Sequence, residues 1–327
     1  MRPSLFAATT LLLASASALA GQTPPPLSTF SIVACDPKDG FLGVAIQSRV
    51  VGAGSIVPAA EAGVGAVASQ ANANVTYKPR ALALLRQGRT PEQVRAELAR
   101  TDSAIASRQF AVMDARCRVA AHTGDSTIAW AGHRVGRNYS VQGNILAGPQ
   151  VVDSMARAFE ASEAAGRPFG ERLLAALKAG QAAGGDKRGR QGAGLLIVKR
   201  GGGYTGGDDR YADLRVEEHV EPILELERVY KVWMATFHPL DYYLPNGAEP
   251  VAAPAGPHVC ALQALLARAG HGSAPADTSG YCALDEGVLR ELHAFQRANG
   301  LPVLPALTPE AAARLRAAAA QKSGAAP

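Results

Sequence analysis

Aromatic and charged residues are scarce in this sequence. Phe, Trp and Tyr make up 6% of the 327 residues, and Asp, Glu, Lys and Arg make up 19%. A nucleic-acid-binding protein is expected to carry a clustered basic face with interleaved aromatic side chains. Here the net charge of +5 comes mostly from scattered arginines, which favours a solvated basic surface. We therefore expect no nucleic-acid partner.

Several short motifs of catalysis and metal binding are missing. There is no Cys-x-x-Cys pair and no histidine-rich cluster, so we expect no metal site and no cofactor. His122 is the obvious general base for a hydrolase, yet no Gly-x-Ser-x-Gly nucleophile elbow accompanies it, which argues against a serine triad. The glycine-rich run at 184–191 lacks the Gly-Lys-Ser/Thr ending of a phosphate-binding P-loop.

The only candidate for a membrane-inserting segment lies at the N-terminus. Arg2, an apolar run at 5–13 and the small residues Ala18-Leu19-Ala20 follow the order of a secretory signal peptide. The run is too short to span a bilayer. The alternative is a buried N-terminal helix, but proline-rich chain typical of an exposed linker follows at once. We predict a signal peptide over 1–20, a Pro-rich linker over 21–28, a secreted or periplasmic location, and no membrane anchor after cleavage.

Cysteines are few, and their even number fits an oxidising compartment. The sequence contains four of them, which allows three ways of pairing, and the sequence alone does not choose among these. Pairing within each predicted domain favours Cys35–Cys117 and Cys260–Cys282.

Predicted strands and helices alternate in blocks over residues 29–240. Neighbouring strands are joined by short hairpins, so we expect antiparallel sheets with helices on their outer faces, an α+β class and not a doubly wound parallel sheet. Strands are predicted at 29–35, 41–48, 63–69, 109–114, 117–123, 139–145 and 193–199, and helices at 79–86, 90–100, 150–161, 169–179 and 220–236.

The composition changes beyond residue 240. Prolines and alanines predict a linker over 241–257. Three helices are then predicted at 259–269, 288–298 and 309–319. We therefore expect a small all-α C-terminal module of three helices over residues 258–320.

Polar residues stand beside glycines at the predicted ends of several strands and helices. Side chains at such ends can converge on one rim of a fold; the alternative is that they are turn and cap residues that satisfy the backbone. The run at 184–191 has three cations around Asp186, which would hold an anionic substrate group or form a structural Asp–Arg pair. The other motifs are Ser48-Arg49, Ser69-Gln70-Ala71-Asn72, His122-Thr123-Gly124 and Gln142-Gly143-Asn144.

These motifs, taken with their flanking strands, resemble a bacterial family of domains of unknown function that is similar to the N-terminal nucleophile (Ntn) hydrolases. The resemblance extends from Thr29 to about Phe237 and implies an αββα four-layer sandwich. The segments that carry it are 29–34, 43–48, 63–70, 120–124, 142–146, 183–191, 207–210 and 213–216.

In the Ntn superfamily the first residue of the mature chain is the nucleophile, and its own α-amine accepts the proton. The resemblance puts Thr29 in this role. Signal cleavage would leave residues 21–28 in front of it, so a second cut at Ser28–Thr29 is required. The resemblance further implies that Asn144 is an oxyanion donor, and it suggests the substrate-binding residues Ser48, Gln70, His122, Asp186, Arg188, Arg190 and Gln191.

Two features depart from the proteasome-like members of that superfamily. Gln47 stands where the aspartate of an Ala-x-Asp-Ser-Arg segment would be. The lysine that lowers the pKa of the nucleophile has no clear counterpart between Ser55 and Ser69.

The C-terminal module resembles the three-helix peptidoglycan-binding domain. Its Leu262-Gln263 and Phe295-Gln296 steps, the latter followed by Asn299-Gly300-Leu301, match the repeated Leu-Gln and Phe-Gln-Gly-Leu pattern of that domain. A generic helical appendage is the alternative.

Three functions are consistent with these features. The first is an exported Ntn-type amide hydrolase acting on a cell-wall or peptide-like substrate. The second is a non-catalytic protein that binds peptidoglycan or another ligand on a hydrolase-like scaffold. The third is a structural subunit of an exported assembly; a homo-oligomer is compatible with all three.

Overall fold

The computed structural model describes residues 29–238, 255–274, 282–283, 285–301, 303 and 309–322. The predicted signal peptide, the Pro-rich linker and most of the linker at 241–257 lie outside them. Residues 29–238, called the body below, are of mixed α+β class with two antiparallel sheets, as predicted.

The strands of the body are β1 (Thr29–Asp36), β2 (Phe41–Ser48), β3 (Pro58–Glu61), β4 (Gly65–Ala71), β5 (Arg108–Asp114), β6 (Val119–Thr123), β7 (Gly132–Val135), β8 (Tyr139–Asn144), β9 (Gly192–Val198) and β10 (Arg210–Val216). The α-helices are α1 (Ala53–Ile56), α2 (Tyr77–Arg86), α3 (Pro91–Arg100), α4 (Gln150–Ala164), α5 (Phe169–Ala182) and α6 (Pro222–Phe237).

The larger sheet has six strands in the order β10-β9-β2-β1-β8-β7, and the smaller has four in the order β3-β4-β5-β6. Side chains of a strand alternate between its two faces. On β1, Phe30 therefore points to one side of the large sheet, where it packs with residues of α4 and α5. Val33 points to the other side and packs with residues of β4 and β5.

Helices cover the outer face of each sheet. Phe110 of β5 lies in a buried cluster with residues of α2 and α3, while α4, α5 and α6 share a cluster with the large sheet. Each large apolar side chain buried in these clusters contributes roughly 1.5–3 kcal/mol. The two sheets thus face each other, and the residues between them are held from both sides.

The sequence does not predict β3, β7 and β10, and all three are edge strands. An edge strand is covered on fewer sides, so its alternation of apolar and polar residues is weak. β3 is only four residues long and starts with Pro58, which is tolerated at an edge. β7 is mostly exposed. β10 follows a glycine-rich stretch, and α6 begins at Pro222 instead of residue 220.

The start of α3 agrees with its sequence signature. Thr90 caps the helix: its hydroxyl accepts a hydrogen bond from the backbone N–H of Gln93 at 3.3 Å, and the side chain of Gln93 accepts from the N–H of Thr90 at 3.0 Å. Pro91 occupies the first turn. This reciprocal capping box satisfies two N–H groups that would otherwise lack partners.

Both predicted disulfides are confirmed. Cys35, on β1 of the large sheet, is bonded to Cys117, in the turn between β5 and β6 of the small sheet, 82 residues away. This bond joins the two sheets directly. Cys260 is bonded to Cys282. Both bonds are compatible with an extracellular location.

The C-terminal module contains the three predicted helices, α7 (Pro257–Arg268), α8 (Glu286–Ala298) and α9 (Pro309–Lys322). Their apolar faces share one buried cluster that includes Leu262, Phe295 and Leu315. The prediction of an all-α module needs one correction. Two-residue strands β11 (Ala255–Gly256) and β12 (Cys282–Ala283) pair antiparallel, and β11 falls in the segment predicted as linker.

A partly buried ion pair links the neighbourhood of α2 to β5. The carboxylate of Asp102 accepts hydrogen bonds from Arg108 Nε at 2.9 Å, from the Tyr77 hydroxyl at 2.7 Å and from Asn74 Nδ2 at 3.1 Å. Burial of the carboxyl raises its pKa, but the hydrogen bonds outweigh burial and hold the pKa of Asp102 well below its usual range.

We expect Asp102→Asn to lower the free energy of unfolding by about 1.5–3 kcal/mol at pH 7, because the partly buried Arg108 loses its charged hydrogen-bond partner. The pKa of Asp102 is depressed by folding, so its stabilisation is complete above the unfolded pKa of about 3.9 and is lost as pH falls further. Urea titrations at pH 7, 5 and 3 should therefore show the gap between wild type and variant shrinking only below about pH 4. The exposed Asp125→Asn is the control; a gap independent of pH would contradict the assignment.

Candidate functional site

Thr29, Ser48 and Asn144 lie side by side at one end of the large sheet. In the antiparallel register Thr29 is opposite Ser48 on β2 and opposite Asn144 on β8. Directly opposed residues share a face of the sheet, and this face looks towards the small sheet. The Thr29 hydroxyl is 3.3 Å from the Ser48 hydroxyl, and all three side chains are buried.

The small sheet contributes amide side chains to the same region. Gln70 of β4 donates from Nε2 to the carbonyl of Thr29 at 3.3 Å and to Gln109 Oε1 at 2.8 Å. Gln109 Oε1 also accepts from Asn144 Nδ2 at 3.0 Å. The side chain of Gln109 donates in turn to the carbonyl of Gly143 at 2.8 Å. Gln70 and Gln109 of the small sheet are thus hydrogen-bonded to Thr29 and Asn144 of the large sheet, respectively.

The polar contacts continue inward along β1. Ser31 donates to Gln70 Oε1 at 2.6 Å and accepts from Gln142 Nε2 at 2.7 Å, and Gln142 Oε1 accepts from Ser140 at 2.8 Å. Buried polar networks of this kind specify one arrangement because each unmade bond is costly. We call the buried polar set Thr29, Ser31, Ser48, Gln70, Gln109, Ser140, Gln142 and Asn144 the inter-sheet network.

One edge of the inter-sheet network reaches a histidine. Gln109 Nε2 donates to Thr123 Oγ1 at 2.9 Å, and that hydroxyl is 2.9 Å from His133 Nδ1. Desolvation lowers the pKa of His133, and His122 and Arg95 lower it further. Both effects favour the neutral imidazole.

The chain turns sharply directly after two network residues. Ala71 follows Gln70 with φ of +63°, and Ile145 follows Asn144 with φ of +52°. Positive φ is uncommon for alanine and a clear outlier for a β-branched residue such as isoleucine. Such residues cost about 1–3 kcal/mol and cluster where the surrounding structure serves a function.

The run at 184–191 binds the ends of β2 and β8, the two strands that flank β1. Asp186 accepts a hydrogen bond from the backbone N–H of Arg49, next to Ser48, at 3.2 Å. The N–H of Lys187 donates to the carbonyl of Ile145, next to Asn144, at 3.0 Å. The run is therefore attached to both neighbours of Thr29.

The two arginines of this run are engaged within the protein. Arg188 forms an ion pair with Asp186, Nη2 to Oδ2 3.2 Å, which is the structural Asp–Arg pair that the sequence left as an alternative. Arg190 pairs with Glu221. Gln191 Nε2 donates to Glu218 at 2.6 Å. Asp186 is thus joined to the network through the backbone, whereas Arg190 and Gln191 contact the segment before α6.

His122 lies apart from Thr29. It is opposite Phe110 on β5, and the two ring centres are 5.3 Å apart with a tilt of 34° between the planes. Phe110 belongs to the buried cluster with α2 and α3. His122 Nε2 is 3.1 Å from the carbonyl of Ile105. Its neighbour Thr123 faces the inter-sheet network instead, because successive side chains of a strand point to opposite faces.

Gln47 also lies apart from Thr29, although Ser48 is its neighbour. It is opposite Phe30, so its side chain faces the helices α4 to α6. It is fully buried, and neither of its side-chain polar atoms has a hydrogen-bond partner in the described part of the chain. Its position on the other face gives it no contact with the Thr29 hydroxyl.

Four residues of the site were not predicted from the sequence, namely Ser31, Gln109, Ser140 and His133. The available signal for Ser31, Gln109 and Ser140 is a polar residue inside an otherwise apolar strand. Residues in the described ranges include no group of three His, Cys, Asp or Glu arranged as metal ligands. No helix within those ranges has the length and apolarity needed to cross a membrane.

Fold and site together define a class of α+β proteins in which two facing antiparallel sheets enclose a buried polar network. The chain belongs to the family described as "Family of unknown function (DUF1028)", whose model matches residues 29–226. The crystal structure of protein SPO2555 from Silicibacter pomeroyi, described as a DUF1028 protein, is similar at 29% sequence identity with a TM-score of 0.59. The match covers 69% of this chain and 99% of that one. No curated protein matches the chain.

Proposed function

We propose that this protein is an exported amide hydrolase of the N-terminal nucleophile type, and that its facing sheets and outer helices are the αββα sandwich of that superfamily. The observation that carries the proposal is the setting of Thr29. It opens the interior strand β1, between Ser48 and Asn144, and the amide of Gln70 from the small sheet donates to its carbonyl.

The side chains next to Thr29 supply hydroxyl and amide groups. Ser48, Gln70 and Asn144 do not take up a proton near neutral pH. An α-amine with a pKa of about 7.7–8.0 does. A free amine on Thr29 would lie within reach of its own hydroxyl, which satisfies the geometric requirement for a general base.

The reaction follows from these groups. The Thr29 hydroxyl oxygen attacks the amide carbonyl carbon of the substrate, and its proton passes to the α-amine. The C–N bond breaks, the leaving amine takes that proton, and an ester to Thr29 remains. A water molecule then attacks the ester carbon and gives its proton through the same amine to the Thr29 oxygen, which releases the acid.

Asn144 is suited to stabilise the oxyanion of both steps. An amide NH2 group carries two donors. The Asn144 amide donates to Gln109 Oε1, which fixes the orientation of the group, and in the proposed reaction the same amide stabilises the oxyanion. A preorganised donor of this kind contributes about 10²–10³-fold to the rate.

The run at 184–191 and the C-terminal module suggest the substrate. The run is fixed beside Thr29 through Asp186, which positions Arg188 at the same rim. The module contains three helices, and its sequence resembles the three-helix peptidoglycan-binding domain. We therefore propose a cell-wall or peptide-like amide as the substrate.

Intact mass and N-terminal sequencing of the mature protein test the mechanism. We expect every hydrolytically active preparation to start at Thr29, because an amide nitrogen cannot accept the proton. We also expect a β-lactone, which mimics the scissile carbonyl, to add its mass to the peptide that begins with Thr29. An active preparation that still starts at Gly21 would refute the amine mechanism.

A non-catalytic binding protein on the same scaffold is the second candidate. It is favoured by the complete burial of the Thr29 side chain and by the position of Gln47 on the opposite face. The binding protein is distinguished from the hydrolase by experiment. Its mature form would keep residues before Thr29, and it would bind peptidoglycan fragments without cleaving them.

A further inference from the structure

A second candidate site lies at the opposite end of the sheets. β1 runs from Thr29 to Asp36, so its far end is about 23 Å from Thr29 at the usual rise per residue. There a cavity of about 260 Å³ opens between four connections of the chain: β1 to β2, β3 to β4, β5 to β6, and β9 to β10. We call it the turn cavity. Its walls are rigid, because the Cys35–Cys117 bond joins the two sheets beside it.

One wall of the turn cavity carries an unpaired guanidinium. Arg200 has no hydrogen bond or ion pair from its side chain in the described residues, unlike the paired Arg172 and Arg188. It lies against Gly63, where an added Cβ would come within 2.4 Å of Arg200 Nη2. Gly63 has φ of +72°. Glycine therefore both makes the turn and leaves room for the guanidinium.

The facing wall carries an unpaired carboxylate. Asp39 has no salt bridge or side-chain hydrogen bond in the described residues, although it shares the cavity with Arg200 and Lys199. The nearby Asp36, by contrast, is engaged: it pairs with Arg172 at 2.8 Å and accepts the backbone N–H of Lys38 at 3.0 Å. Desolvation raises the pKa of Asp39, and the charge of Asp36 raises it further.

The floor between these charges is apolar. Cys35, Phe41 and Leu42 line it and are buried, and the Lys199 ammonium lies 5.0 Å from the centre of the Phe41 ring. An Arg and an Asp that line one cavity without pairing are complementary to a ligand with both charges. The cavity is smaller than the roughly 300–1,000 Å³ pockets that hold drug-sized ligands.

We propose that the turn cavity binds a free α-amino acid as its zwitterion. The carboxylate of the ligand lies against Arg200, whose planar fork suits two parallel hydrogen bonds. The ammonium lies against Asp39, and the side chain rests on the floor formed by Phe41 and Leu42. This site is separate from Thr29 and does not depend on hydrolysis there.

Calorimetric or NMR titration of the full chain with glycine, L-alanine and D-alanine tests the proposal. At least one of them should bind, whereas acetate and methylammonium, which carry one charge each, should bind at least about tenfold more weakly. Arg200→Gln and Asp39→Asn should each weaken binding about tenfold or more. Arg89→Gln, an exposed arginine in the turn between α2 and α3, should leave it unchanged.

Three results would overturn the site: no binding by any of the three amino acids, equal binding of the singly charged analogues, or wild-type affinity in both cavity variants. Arg200 is exposed and Asp39 is half-buried in a turn, so both variants are expected to fold, which circular dichroism checks. The Thr29→Ala protein should bind the amino acid as the wild type does. Failure of the hydrolase proposal therefore leaves this result unaffected.

Discussion

Replacing Thr29 with alanine is expected to abolish both amide hydrolysis and covalent labelling by a β-lactone. The substitution removes the hydroxyl that would form the ester, and loss of a nucleophile in comparable enzymes lowers kcat by about 10⁶-fold. The cost to the fold should be small, because the β1 backbone pairs on both sides of residue 29 are unchanged. The measurement is the mass of the labelled protein together with release of a new amine from muropeptides.

Two matched variants separate chemistry from structure. Thr29→Ser keeps a hydroxyl and an α-amine, so it should retain labelling well above the alanine variant. Ser48→Ala removes the hydroxyl 3.3 Å from Thr29 but not the nucleophile, so labelling should persist at residue 29. If Thr29→Ala protein were still labelled at its N-terminal peptide or still hydrolysed its substrate, Thr29 would not be the nucleophile.

The second large effect is expected from removal of the Cys35–Cys117 disulfide, which joins the two sheets. Replacing Cys35 and Cys117 together with alanine should lower the free energy of unfolding of the body by about 4.5 kcal/mol, the loop-closure value for residues 82 apart. The reason is that the unfolded chain gains the freedom that the cross-link removed. Urea unfolding followed by tryptophan fluorescence is the suitable measurement, because both tryptophans, Trp130 and Trp233, lie in the body.

The other disulfide gives the control for this experiment. Cys260 and Cys282 belong to the buried cluster of the C-terminal module or pack against it, so Cys260→Ala with Cys282→Ala should not move the tryptophan transition. A loss below about 1 kcal/mol in the Cys35/Cys117 double variant would contradict the role of this bond in holding the sheets together.

Part of the site was accessible from the sequence. Polar residues at the ends of predicted strands indicated Ser48, Gln70 and Asn144, and the structure brings these three together with Thr29. The same reasoning grouped His122 with them, and the structure places it on the far face of the small sheet. A shift of one residue along a strand changes the face, and the sequence does not state which residue of His122-Thr123 points inward.

The sequence by itself determined the α+β class, the interior strands, the capped helix α3 and the three helices of the C-terminal module. These features depend on local periodicity and capping, which are set within short stretches of chain. Tertiary structure decided the edge strands β3, β7 and β10, the cysteine pairing among the three possible ones, the face on which each polar residue lies, and the meeting of Asp39 with Arg200 in one cavity. These depend on contacts between segments far apart in sequence, where register and packing fix what local pattern leaves open.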